Sequence, residues 1–287
     1  MDDLWFERMV EDQGVVGLIA GNGPLPVLFA REAAARGLKV VAVAHLGETL
    51  PELNEVAGLI QWIRVGELRK LVEILKDSGV RCAVLLGGID KKRALRELCL
   101  DEWALRVIQR LQARGDDTLL GALAEELGSH GIRVLSSQQL LAPWLAPEGV
   151  LTGEAPTEQQ ASDVRIGIQA LGALGALDIG QTVVVKEGVI LAVEAIEGTD
   201  QAIRRAGALG GSGAVVVKGS KPGQDMRFDV PVAGMETIAT MAEVGAQVLA
   251  LEAQRTLLLD PPGVIGLARQ KGIVLMGWVA GGSHERY

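Results

Sequence analysis

Two α/β domains are predicted by three observations. Short apolar runs alternate with stretches of helical spacing through the first half, the pattern of a parallel sheet crossed by helices. The chain has 287 residues, more than one ordinary domain holds. Its apolar content of 48% rests on Ala, Gly, Val and Leu, with aromatics at only 3%, and such small residues let helices lie close to a sheet.

The first domain, residues 1–136, is expected to be Rossmann-like with a mainly parallel sheet. Val15 to Ala20 reads as a strand closed by Gly21-Asn22-Gly23-Pro24. A helix follows from Leu25 to about Arg36, where Gly37 stops it. Lys39 to Ala44 is a second strand, and Glu67 to Asp77 carries Leu68, Leu71, Val72 and Leu75 at helical spacing. Cys82 to Leu86 is a strand ended by Gly87-Gly88, and a helical region from Asp90 to Arg114 breaks at Gly115-Asp116-Asp117. A helix from Leu119 to Leu127 and a strand from Ile132 to Leu135 complete this half.

Residues 137–156 read as a linker, punctuated by Pro143, Pro147, Gly149, Gly153 and Pro156. The second domain, 157–287, is expected to be a mixed sheet with helices. Thr157 opens a helix through Leu177. Thr182 to Lys186 and Val189 to Ala195 flank Glu187-Gly188 as a hairpin. A helix from Gln201 to Ala208, a strand from Ala214 to Lys218, a helix from Glu236 to Gly245 and strands near Val248 and Ile273 follow.

A net charge of −8, from 28 basic and 36 acidic residues, argues against nucleic acid as a partner. An anionic ligand must then be held by a local cluster of donors. Cys82 and Cys99 make neither a disulfide framework nor a CxxC site and are expected to be buried free thiols. His45, His130 and His284 match no metal spacing. The start Met1-Asp2-Asp3-Leu4-Trp5-Phe6-Glu7 is acidic where a signal peptide is basic. No apolar run reaches the roughly 20 residues of a membrane span. A soluble cytoplasmic chain is expected.

Chemistry is concentrated in a few segments. Gly21, Asn22 and Gly23 lie between a strand and a helix, either as a phosphate-holding loop or as a tight turn. Pro26 stands where a dinucleotide fingerprint has its third glycine, and His45 where it has an acid. Gly87-Gly88-Ile89-Asp90-Lys91 repeats the arrangement and adds a lysine, while Asp117 or Thr118 caps a helix, or else the adjacent Asp116 and Asp117 meet a metal or sugar hydroxyl. Glu194 within an apolar strand is costly unless paired, protonated or metal-bound. Glu197, Thr199 and Asp200 follow it, the last two as a candidate helix start. In Lys218-Gly219-Ser220-Lys221-Pro222-Gly223-Gln224-Asp225-Met226-Arg227-Phe228-Asp229-Val230, an extended segment would put Asp225, Arg227 and Asp229 on one face. Met226, Phe228 and Val230 would then turn to the core. Such lysines and carboxylates suit a phosphate ester with a hard cation, or else a solvated edge strand with ion pairs.

Gly17-Leu18-Ile19-Ala20-Gly21-Asn22-Gly23 with Leu25-Pro26, Gly115-Asp116-Asp117, Asp178-Ile179-Gly180-Gln181, Glu194 to Asp200 and Lys221 to Asp229 resemble the LpxI-type UDP-2,3-diacylglucosamine pyrophosphatases of lipid A biosynthesis. The resemblance runs from about Val15 to Val279. It implies a cytoplasmic, magnesium- or manganese-dependent hydrolase with its substrate between two α/β domains. UDP-2,3-diacylglucosamine would be cleaved to UMP and 2,3-diacylglucosamine 1-phosphate (lipid X). Carried onto this chain, the resemblance makes Asp225 the catalytic acid and leaves open whether it binds the ion, orients water or takes the proton. Lys218, Lys221 and Arg227 are the candidate cations, and Asp225, Glu194, Glu197 and Asp200 the candidate metal ligands. Gly21, Asn22, Gly23, Lys91, Asp116, Asp117 and Thr199 are the candidate substrate contacts. A homodimer and peripheral contact with the inner membrane are further expectations. A non-catalytic nucleotide-sugar-binding or regulatory protein is the alternative.

Overall fold

The computed structural model describes Met9 and residues 14–90, 99–111, 116–175, 177, 179–228 and 230–279. Lys91, Gly115, Asp178 and Asp229 lie outside these residues, as do the side chains of Asp116 and Asp117. The chain divides into two compact units, one of Met1–Leu141 with Asp225–Asp229, the other of Ala142–Gln224 with Val230–Tyr287.

In the first unit β1 (Val15–Ala20), β2 (Lys39–His45), β3 (Leu59–Ile63), β4 (Cys82–Leu86) and β5 (Arg133–Val134) form one sheet in the order β3-β2-β1-β4-β5. Every pairing in it is parallel. Successive strands step away from β1 in one direction and then the other, so the switch point lies between β1 and β4. β1 is apolar because both its faces are covered; Val16 to Ala20 are buried. α1 (Leu25–Ala35) stops as expected at Gly37, whose φ of 80° is left-handed. α2 (Leu68–Asp77) buries the four apolar residues of its stripe. β3 escaped prediction because it alternates exposed and half-covered residues instead of forming an apolar run.

α3 (Glu102–Gln109) is capped by Asp101, whose carboxylate accepts from the Trp103 and Ala104 amides. α4 (Asp116–Ser129) has Thr118 within its first turn, while the capping reading of Asp117 rests on a side chain outside the described residues. The cysteines also depart from expectation. Cys82 is only half-buried at the start of β4, and Cys99 is exposed outside any helix.

The second unit holds β6 (Gly149–Val150), β7 (Thr182–Lys186), β8 (Val189–Val193), β9 (Val215–Lys218), β11 (Val248–Glu252) and β13 (Val274–Trp278) in the order β6-β13-β11-β9-β7-β8. β9, β11 and β13 are parallel, while β6 and β7 pair antiparallel, which makes the sheet mixed. β10 (Val232–Ala233) and β12 (Leu257–Leu258) form a separate parallel pair. α5 (Glu158–Gly175) packs Val164 and Leu171 on one face of the larger sheet. α6 (Thr199–Gly210), α7 (Met235–Val244) and α8 (Pro261–Gln270) supply Ile203, Ile238 and Val264 to the core on its other face.

Thr157 and Gln160 close a reciprocal cap on α5, each side chain accepting the other's amide. Gly167 lets that helix lie against β9, since a Cβ there would come within 2.4 Å of Val217. Within 137–156 the chain forms short 3₁₀ turns at Ser137–Gln139 and Ala142–Trp144 and then β6, so its prolines and glycines separate small elements. β8 ends at Val193, which places Glu194 just past the strand.

Candidate active site

The C-terminal edge of the first sheet gathers the loops after β1, β2, β4 and β5. The loop after β1 is joined to the loop after β4. Gly21 N donates to Leu86 O (2.8 Å), Asn22 N to Gly88 O (2.7 Å) and Gly88 N to Asn22 Oδ1 (3.1 Å). A Cβ at Gly21 would stand 2.2 Å from Gly88 O, so close approach requires this glycine. The phosphate-cradle reading of Gly21-Asn22-Gly23 does not match this geometry. Two of its amides are engaged, and Pro24 and Pro26 remove N–H groups from the start of α1.

The loop after β2 adds a buried polar group. His45 Nδ1 and Thr49 Oγ1 both donate to Ala20 O, at 2.8 and 2.6 Å. Burial depresses the His45 pKa against smaller opposing contributions from its Ala20 hydrogen bond and Glu48. Glu48 is 7% exposed. Its Oε2 accepts from Asn22 Nδ2 (3.2 Å) and Asp90 N (3.0 Å), and its Oε1 is buried without a partner. Sequence reasoning missed Glu48, because Leu46-Gly47-Glu48-Thr49 reads as an ordinary polar turn.

Asp225 lies in a turn of the same unit, not in the extended segment expected. Phe228 N donates to Asp225 O (3.0 Å), closing a turn over Asp225–Phe228. Ser136 Oγ, just past β5, donates to Met226 O (2.9 Å). Phe228 is 2% exposed and packs in the cluster that contains Leu85, Leu127 and Val134. Phe228 and Val230 are buried as anticipated, while Met226 is only half-buried. Arg227 clasps Asp225. Its Nε donates to both carboxylate oxygens at 2.9 Å and its Nη2 to Oδ2 at 2.5 Å. The guanidinium also stands over the Phe228 ring, 5.0 Å from its centre. Chiefly through its hydrogen bonds, Arg227 holds the Asp225 carboxyl below the usual carboxylate range.

The second unit carries a separate polar nest. Lys218 ends β9 and is 5% exposed. Its Nζ donates to Thr199 Oγ1 (2.7 Å) and Thr182 Oγ1 (3.2 Å) and lies 3.8 Å from Glu194 Oε2. Thr199 Oγ1 in turn donates to Glu194 Oε1 (3.0 Å). Thr199 therefore does not cap α6; Gly198, at φ 85°, stands in that position without a side-chain bond. Asp200 is in the first turn of α6, and burial, then Glu236, raise its pKa. Lys221 is buried, and its amide donates to Gln224 Oε1 (2.8 Å). The strand-end Glu252, which the sequence did not flag, accepts from both Ser220 N and Ser220 Oγ at 2.6 Å.

The four candidate metal ligands separate. Asp225 belongs to the first unit and is clasped by Arg227. Glu197 accepts from Arg205 Nη2 (2.5 Å) and Ala195 N (3.2 Å). Among the described residues no group of three or more His, Cys, Asp or Glu side chains is arranged around a metal position. Glu194 Oε2 and Asp200 Oδ1 are both buried without a hydrogen-bond partner. Two such oxygens fit magnesium, which keeps waters and takes one or two carboxylates beside substrate phosphates.

Family models of the LpxI N-terminal domain and the LpxI C-terminal domain match residues 15–144 and 147–276. The chain belongs to the LpxI family. Among curated relatives, the UDP-2,3-diacylglucosamine pyrophosphatase LpxI of Caulobacter vibrioides is 32% identical over 275 residues, 91% of this chain and 96% of that protein. The two LpxI matches meet near the division between Leu141 and Ala142, and together they include Glu48, Glu194, Lys218 and Asp225.

Proposed function

We propose that this LpxI-family chain hydrolyses the pyrophosphate bond of UDP-2,3-diacylglucosamine, releasing UMP and lipid X. The observation that carries the reading is the Asp225–Arg227 pair, set in a turn on the C-terminal edge of a doubly wound sheet, where such folds bind ligands. Diphosphate cleavage asks for positioned water and for cations facing the phosphoryl oxygens, with little covalent work by protein. Asp225, kept ionised by Arg227, orients the attacking water as an anion. Its depressed pKa makes it a weak proton acceptor while the pair is intact.

Arg227 and the buried Lys218 and Lys221 supply positive charge that a net charge of −8 lacks. Glu194 and Asp200 would hold magnesium or manganese, which supplies charge neutralisation at the diphosphate when bound. Among the described residues no helix is long and apolar enough to cross a membrane. A cytoplasmic enzyme that meets its diacylated substrate at the inner membrane face accords with the reading, as does a homodimer on base rates. UMP release from UDP-2,3-diacylglucosamine, with and without EDTA, tests it. Release that chelation abolishes and magnesium restores is expected. Binding without release in the presence of magnesium would leave a nucleotide-sugar-binding protein, and full turnover after exhaustive chelation would remove the metal.

A further inference from the structure

We infer that Glu48 is the group that reads the ribose of the nucleotide, an inference that rests on the proposed function. Its carboxylate bridges the loops after β1 and β4 through Asn22 Nδ2 and Asp90 N. Those loops flank the switch point of the β3-β2-β1-β4-β5 sheet, where open α/β folds receive nucleotides.

The sequence has no acid at the end of β2, where His45 stands, but Glu48, three residues on, reaches the loops after β1 and β4. One of its oxygens accepts two donors and the other, Oε1, accepts none, although the residue is 7% exposed. A buried carboxylate oxygen without a donor is costly, so the site is completed by a ligand that brings one. Phosphate cannot be that ligand group, because it carries charge of the same sign and no donor at neutral pH. A neutral sugar hydroxyl meets the requirement.

The location agrees with the rest of the reading. β5, whose following residue Ser136 holds the Asp225 turn, is the immediate neighbour of β4.

Binding of UMP, 2′-deoxy-UMP and 3′-deoxy-UMP to the full chain, measured by calorimetry, tests the inference without turnover. The wild type is expected to bind at least one deoxy nucleotide about tenfold or more weakly than UMP, the scale for a lost hydrogen bond to a charged group. In Glu48→Gln, UMP should weaken toward the deoxy nucleotides while those stay nearly unchanged. A purely structural Glu48 would weaken all three alike and would overturn the assignment. Equal wild-type affinities for the three nucleotides would overturn it too, and that series needs no variant to fold. If the wild type bound no uridine nucleotide at all, the proposed function would fall along with it; binding without ribose discrimination refutes Glu48 alone.

Discussion

Asp225 is held in its charged form, and Arg227 is the reason. Asp225→Asn keeps the shape of the side chain, removes its charge and weakens the clasp. It should lower kcat at least about a hundredfold, the scale for misplacing a reactant that the group positions, while substrate still binds, since a carboxylate near a diphosphate is lost. Normal turnover in that variant would end the assignment. His45 makes a different test. Its folded pKa lies below the unfolded value of about 6.5, so the unfolded chain binds the proton more readily. Stability is then present above about pH 6.5 and falls as pH drops toward the folded pKa. Thermal melts of the wild type should show that loss, and His45→Gln should flatten it; parallel curves for the two proteins would contradict the sign. Single residues differed in how plainly the sequence showed them. Glu194 and Lys218 stood out because charge beside apolar runs needs compensation, and they meet in one nest. Glu48 did not, because its burial depends on Asn22 and Asp90, far along the chain.

Among the elements, those with an unbroken period were legible: the buried strand β1, the stripe of α2 and the β7–β8 hairpin around Glu187-Gly188. Those governed by tertiary contacts were not. β3 is an edge strand, and β6 is two residues long and exists through its pairing with β13. The Asp225 segment alternates in sequence like a strand, yet it folds as a turn because Phe228 is drawn into a core and Ser136 holds Met226 O. Phe228 is therefore the anchor of the Asp225 turn. Phe228→Ala should cost about 3–5 kcal/mol of stability, the range for a buried phenylalanine, and should lower the rate as Asp225 loses its fixed position. Chemical denaturation and UMP release on one preparation would measure both. An unchanged rate beside a large stability loss would show that the turn keeps its place without the ring.

At the scale of the whole molecule, the two units are not two consecutive lengths of chain. Residues Asp225–Asp229 belong with Met1–Leu141, although they arrive after β9 of the other unit. A fragment ending at Leu141 should consequently be poorly packed, with the Phe228 slot empty, and should bind hydrophobic dye. Adding a peptide of residues 221–232 in trans should reduce that binding; a fragment that melts as cooperatively as the full chain would refute this. On the ribosome the same arrangement sets a timetable. The first unit cannot complete its core when its own contiguous sequence has emerged, and waits for more than eighty further residues to be synthesised, several seconds at about 5–20 residues per second. Asp225 is thus among the last parts of its unit to be installed, so a chain truncated in translation before it never completes that unit.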